Sequence, residues 1–162
     1  MGVAGCGKST VGAAIASAEA IPLVEGDDFH SAASRDKMAR GIALTDDDRA
    51  AWLDVLGAKL AAHTQGVVLT CSALKRAYRD RLRAAAPGLR FVFLAIEREA
   101  ARERVAGRGA HFFSPHLVDS QFATLEPPVG EQGVLQVDAL APIAAIQGQV
   151  HAWLQGNDKD PS

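Results

Sequence analysis

The amino-acid sequence predicts a three-layer α/β fold, a parallel β-sheet with helices on both faces. Three patterns carry this expectation. Short, nearly continuous apolar runs rich in β-branched or aromatic residues recur at Ile21–Val24, Val67–Cys71, Phe91–Ile96 and Val134–Val137, as in strands covered on both faces. Segments of helical spacing lie between them, and that alternation builds a parallel sheet. A glycine-rich loop at the very start opens directly into a helix. At 162 residues, 48% of them apolar, the chain reads as one domain over residues 1–155. The polar, Pro-containing tail at 156–162 is expected to fray.

The elements follow in order. The first helix begins around Lys8, after a loop that starts at Gly2. In such a βα unit a strand normally feeds the loop and lies centrally in the sheet, and the expectation is that this first strand is missing. Either the natural chain starts upstream of Met1, or the fold does without its central strand and is poorly stable. Thr45-Asp46-Asp47-Asp48 reads as an N-cap with an acidic first turn. It opens a helix whose Trp52, Leu53, Leu56 and Leu60 share one face. Leu74, Tyr78 and Leu82 mark the next helix, and Ile143, Ile146, Val150, Trp153 and Leu154 the last.

Composition excludes several classes of function. Seventeen Lys and Arg against nineteen Asp and Glu give a net charge of −2, so no global basic field holds nucleic acid. No apolar run approaches the roughly 20 residues of a membrane helix, and no secretion signal is visible. Cys6 and Cys71 lack zinc or C-x-x-C spacing and fit a reducing, cytoplasmic compartment. The expected partners are therefore small molecules, with neither nucleic acid nor membrane among them.

Gly2-Val3-Ala4-Gly5-Cys6-Gly7-Lys8-Ser9 matches G-x-x-x-x-G-K-[ST] at every fixed position. Its glycines let successive N–H groups converge on a phosphate, and the following helix adds its positive dipole end. Gly2, Gly5, Cys6, Gly7, Lys8, Ser9 and Thr10 form the expected ATP-binding loop. Lys8 would reach the β- and γ-phosphates and Ser9 would ligate Mg²⁺. Thr10 supports the helix start, and Cys6 sits at a free position without a catalytic role.

Glu25-Gly26-Asp27-Asp28-Phe29-His30 follows the second apolar element. An acidic residue there can face the γ-phosphate and orient an acceptor hydroxyl, take its proton or hold Mg²⁺ through water. Asp27 is the first choice and Asp28 the second; a plain helix cap is the competing reading. Arg49 carries a planar fork that matches a carboxylate. Ser72, Lys75 and Arg79 stand at a strand end, where α/β folds bind ligands, against the alternative of a solvated basic face. Arg104 and Arg108 share a helical face and begin a segment at about 104–125 that reads as a lid. Interleaved Glu97, Glu99 and Glu103 offer a salt-bridged helix instead.

Taken together, GVAGCGKST, EGDDFH, DKMARGIALTDDDRAAWL, CSALKRAYRDRLR, GAHFF and SQFATLEPP resemble the gluconokinases of the small P-loop type, relatives of shikimate and adenylate kinases. The likeness runs from Gly2 to about Pro128. It implies a P-loop kinase fold with a small mobile lid, using ATP with Mg²⁺ and forming a homodimer. The implied reaction moves the γ-phosphoryl group of ATP to the 6-hydroxyl of D-gluconate, giving 6-phospho-D-gluconate and ADP. By similarity, Lys8, Asp27 and Arg104 would be catalytic, and Arg104 with Arg108 would close over ATP. Asp27, His30, Arg49, Ser72, Lys75, Arg79, His111 and Gln121 would bind the acceptor. Two positions depart from the family pattern: Ser31 stands where Pro is usual, and Ala110 where Gly is common. The alternatives are another small-molecule kinase, acting on shikimate or a different sugar acid, which an acceptor panel separates, and a nucleotide-binding protein without turnover, which acceptor-dependent ATP turnover separates.

Overall fold

The computed structural model describes residues 1–107 and 115–156. Helix α1 (Lys8–Ala18) starts directly after Gly7, whose φ of 93° lies in the left-handed region that glycine tolerates. Strand β1 (Leu23–Glu25) runs into a 3₁₀ turn at Gly26–Phe29 and then helix α2 (Ala32–Ala39). Helix α3 (Asp46–Ala62) opens on a complete capping box, in which Thr45 and Asp48 each accept the other's backbone N–H. Strand β2 (Val68–Thr70), helix α4 (Arg76–Ala85) and strand β3 (Phe91–Ala95) follow, then α5 (Arg98–Gly107) and α6 (Pro115–Thr124). Strand β4 (Val134–Asp138) and helix α7 (Ile143–Leu154) complete the order. All four expected strands form, each with small shifts at the ends. Leu74 keeps its place in the apolar stripe but precedes α4, whose N-cap is Lys75.

The strands pair in parallel, β1 with β2 and β3 with β4, with Leu23 opposite Val68 and Phe91 opposite Val134. Between the two pairs lies the start of the chain. The Met1 amino group donates to Val92 O at 2.6 Å, Leu94 N–H donates to Met1 O at 3.0 Å, and Gly2 N–H donates to Ser72 O at 3.1 Å. Met1 and Gly2 thus bridge β3 and the segment leaving β2 without forming a strand, and among the described residues the strands make two parallel pairs with no strand ahead of the loop. A cavity of about 610 Å³ continues beside them, lined by Val67 and Leu69 of one side and Phe91 and Val92 of the other.

Two apolar clusters sandwich the strands. Val11, Ile15, Leu94, Val105, Ile146 and Val150 belong to one, and Trp52, Leu53, Leu56, Leu60, Tyr78 and Phe91 to the other. Phe91 goes to one cluster while Val92 and Leu94 go to the opposite one, as the alternation of a strand requires. Helices α1, α5 and α7 therefore cover one face, with α3 and α4 on the other, giving the three layers of the expected α/β fold. Among the described residues no helix is long and apolar enough to cross a membrane.

Candidate active site

Close packing sets the glycine-rich loop. A Cβ on Gly5, whose φ is +82°, would lie 2.6 Å from Ala101 O on α5, so only glycine lets the loop rest against that helix. Ala4 N–H donates to Gln121 Oε1 at 2.6 Å, tying the loop to α6. Lys8 Nζ donates to the carbonyls of Gly2 and Val3, both at 3.1 Å. Arg104 Nη1 donates to Ala139 O at 3.2 Å and approaches Gly7, lying 3.9 Å from where a Cβ there would stand.

A cleft of about 210 Å³ opens beside the loop. Gly5, Gly7, Lys8 and Ser9 form one wall, Asp27, His30, Arg49 and Ser72 another, and Val105, Leu117 and Gln121 a third. The Asp27 side chain is 70% exposed, with Oδ1 3.8 Å from His30 Nε2. His30 is buried, and its ring stacks on Trp52 with centroids 4.3 Å apart. Burial pushes the His30 imidazole below its ordinary value, although Asp27 pulls the other way. Arg49 Nη1 donates to Leu44 O at 2.5 Å, and its guanidinium lies 5.8 Å over the Tyr78 ring.

One residue here was not singled out by sequence reasoning. Glu25, at the end of β1, accepts from Ser9 Oγ at 3.1 Å and from Thr70 Oγ1 at 2.5 Å. Its signal was an acidic residue closing an apolar strand just before Gly26, overshadowed by the Asp pair that follows. The Ser9 hydroxyl and Glu25 carboxylate are hard oxygen donors of the kind Mg²⁺ takes, with phosphate and water completing its shell. Among the described residues no group of three His, Cys, Asp or Glu could hold a metal alone.

Several expected contacts fall elsewhere. Arg79 is fully buried, with Nη1 donating to Ala73 O at 2.9 Å and Leu74 O at 3.1 Å. Its Nη2 donates to Glu126 O at 3.0 Å, and its guanidinium is paired with Glu131. Expected at the acceptor, it instead braces the turn after β2, because every direction it can donate in is taken inside the protein. Lys75 donates to both carboxylate oxygens of Asp46 at 2.8 Å. Asp46 also accepts from Tyr78 OH, and Lys75 lies outside the cleft lining. Asp28 does not line the cleft either, and its carbonyl accepts from Arg35. Thr10 is exposed beyond the lining, while Gly2 and the Cys6 side chain are buried beneath it. Arg108 and His111 lie outside the described residues.

The geometry joins a phosphate loop, a helix N-terminus, an exposed carboxylate and a guanidinium in one cleft, which can align a nucleotide phosphate with a small polar acceptor. Residues 1–128 match the family described as an AAA domain. The chain is 37% identical over 153 residues to the thermosensitive gluconokinase of Escherichia coli, covering 92% of this chain and 82% of that protein. It is 40% identical over 140 residues to a gluconokinase of Gluconobacter oxydans, covering 85% and 79%. A crystal structure of a gluconokinase from Sinorhizobium meliloti superposes with a TM-score of 0.85 at 44% identity, covering 98% of this chain and 94% of that one. A Mycobacterium tuberculosis APS kinase at 19% identity shares the fold, with a TM-score of 0.64 over 96% and 94%.

Proposed function

This chain belongs to the gluconokinase family, and from that premise we propose that its cleft transfers the γ-phosphoryl group of ATP to the 6-hydroxyl of D-gluconate. One observation carries the reading. Asp27 shares a single 210 Å³ cleft with Lys8 and Ser9, so an acceptor hydroxyl held at Asp27 meets a nucleotide held by the loop.

The loop N–H groups and the start of α1 bind phosphate oxygens, and Lys8 swings its ammonium onto the charge that develops during transfer. Mg²⁺, bound by Ser9 with Glu25 beside it, would neutralise phosphate charge. Asp27 accepts the hydrogen of the attacking hydroxyl and lines that oxygen up with the phosphorus. Arg49 faces the same space and meets the sugar acid's carboxylate with a planar fork, while Ser72 and His30 complete the acceptor wall. Arg104, beside Gly7, adds positive charge at the phosphate end.

Acceptor-dependent ADP release tests the reading, with D-gluconate, shikimate, AMP and no acceptor run side by side in Mg-ATP. Release with gluconate alone is expected and should vanish on chelation of the metal. Release with another acceptor, or with none of them, overturns it. The same reading carries a cytoplasmic homodimer. The resemblance supports the dimer, and the two buried free thiols, Cys6 and Cys71, support a reducing compartment. Sedimentation distinguishes the 17.0 kDa protomer from its pair.

A further inference from the structure

Trp52, on α3, lies outside the cleft lining, yet it touches the turn that carries Asp27 on both sides of that residue. Its indole Nε1–H donates to Gly26 O at 2.8 Å, one residue before Asp27. Its ring stacks on His30 at 4.3 Å with the planes 15° apart, three residues after. Gly26 is itself pinned against β2. Its N–H donates to Thr70 Oγ1 at 3.3 Å, and a Cβ there would stand 2.2 Å from Thr70 O.

His30 then faces Asp27. Its Nε2 is 3.8 Å from Asp27 Oδ1, whereas its Nδ1 is buried with no hydrogen-bond partner among the described residues. A neutral ring with its proton on Nε2 leaves only a lone pair at Nδ1, which costs less to bury than an unpaired N–H, and it points the N–H towards Asp27. The stack fixes the plane of that ring, and the indole hydrogen bond fixes the backbone entering Asp27.

We infer that Trp52 is a positioning residue for phosphoryl transfer, holding the Gly26–His30 turn so that the Asp27 carboxylate meets the acceptor hydroxyl in line with the phosphate loop. This rests on the reading of Asp27 as the group that orients the acceptor. Reactions of this kind are sensitive to misplacement of about 1 Å, which can cost about 10²-fold.

The test is a double-mutant cycle of Trp52→Phe and His30→Gln, with kcat and both KM values measured beside melting temperature. Phe keeps a ring against His30 and removes the indole N–H together with part of the ring volume, a packing loss that the Leu60→Ala control below accounts for. Its kcat with gluconate is expected to fall about tenfold while KM for ATP stays within about twofold. His30→Gln should cost less in the Trp52→Phe background than alone, because the two act through one turn. Leu60→Ala, two turns further along α3, controls for lost packing and should lower the melting temperature with kcat kept. A wild-type kcat in Trp52→Phe, additive effects in the cycle, or an equal kcat loss in Leu60→Ala overturns the positioning role. Wild-type turnover is run in the same assay. If gluconate is not a substrate the parent reading fails, whereas normal turnover together with any of those three results removes Trp52 alone.

Discussion

At the scale of single residues, the proposed transfer assigns Lys8 and Ser9 to the phosphates and Asp27 to the acceptor, three residues that line one cleft. Asp27→Asn removes the charge but keeps the size of the side chain. It is expected to cut kcat by about 10²–10⁴ while ATP binding by calorimetry stays within a few-fold. Normal gluconate turnover in this variant would take Asp27 out of the site. Lys8→Ala removes the charge proposed to act on the transferring phosphoryl group, and its kcat is expected to fall by about 10²–10³. Because the Lys8 amine donates, among the described residues, to two loop carbonyls, the melting temperature of the variant should move by no more than a few degrees. A large drop in melting temperature would make Lys8 a structural brace of the loop. The phosphate loop was legible in the sequence because its function is local, with seven consecutive peptide units folding on themselves. Glu25 was not, because its role depends on Ser9 and on Thr70, 45 residues away.

At the scale of elements, local rules again read well and long-range pairing did not. The Thr45 cap of α3 needs only three residues and forms as the sequence predicts. Arg79 stands next to Tyr78 in a basic run, and sequence alone offered solvent or substrate for it. Its partner is Glu131, 52 residues on, which also accepts from Arg83 at 3.0 Å. Lys75 finds Asp46 in the same way, 29 residues back. The Arg79 brace holds the carbonyl of Ala73, a non-glycine residue with φ of 44°, and so shapes the turn that presents Ser72 to the cleft. Arg79→Ala leaves Glu131 with Arg83 alone and the carbonyls of Ala73, Leu74 and Glu126 without their guanidinium donor, and it is expected to destabilise the fold by about 3–5 kcal/mol, measured by denaturant unfolding. Glu131→Gln should cost less, since it can still accept. The Arg79 guanidinium holds Glu131 below its ordinary value. Its contribution is therefore present above that value and lost as the pH falls through the folded-state value. Acid unfolding should come at lower pH in the parent than in Arg79→Ala; identical acid midpoints would deny the brace its electrostatic role.

At the scale of the whole molecule, the two parallel pairs of strands are joined through Met1 and Gly2, whose backbone bonds reach Leu94 and Ser72. A titrating group is buried at the end of the turn that leaves β1. The His30 ring stacks on Trp52, and burial pushes its imidazole below the ordinary value. As the pH falls through that ordinary value, about 6.5, the unfolded chain takes up the proton first, so stability declines. The loss is complete once the pH lies below the folded-state value too. Melting temperature is thus expected to rise as the pH passes upward through the histidine range. His30→Gln, which takes up no proton there, should flatten the curve over that interval. A slope unchanged by the substitution would mean that the folded protein does not hold this imidazole neutral, and the stack against Trp52 would then have to bind the charged ring.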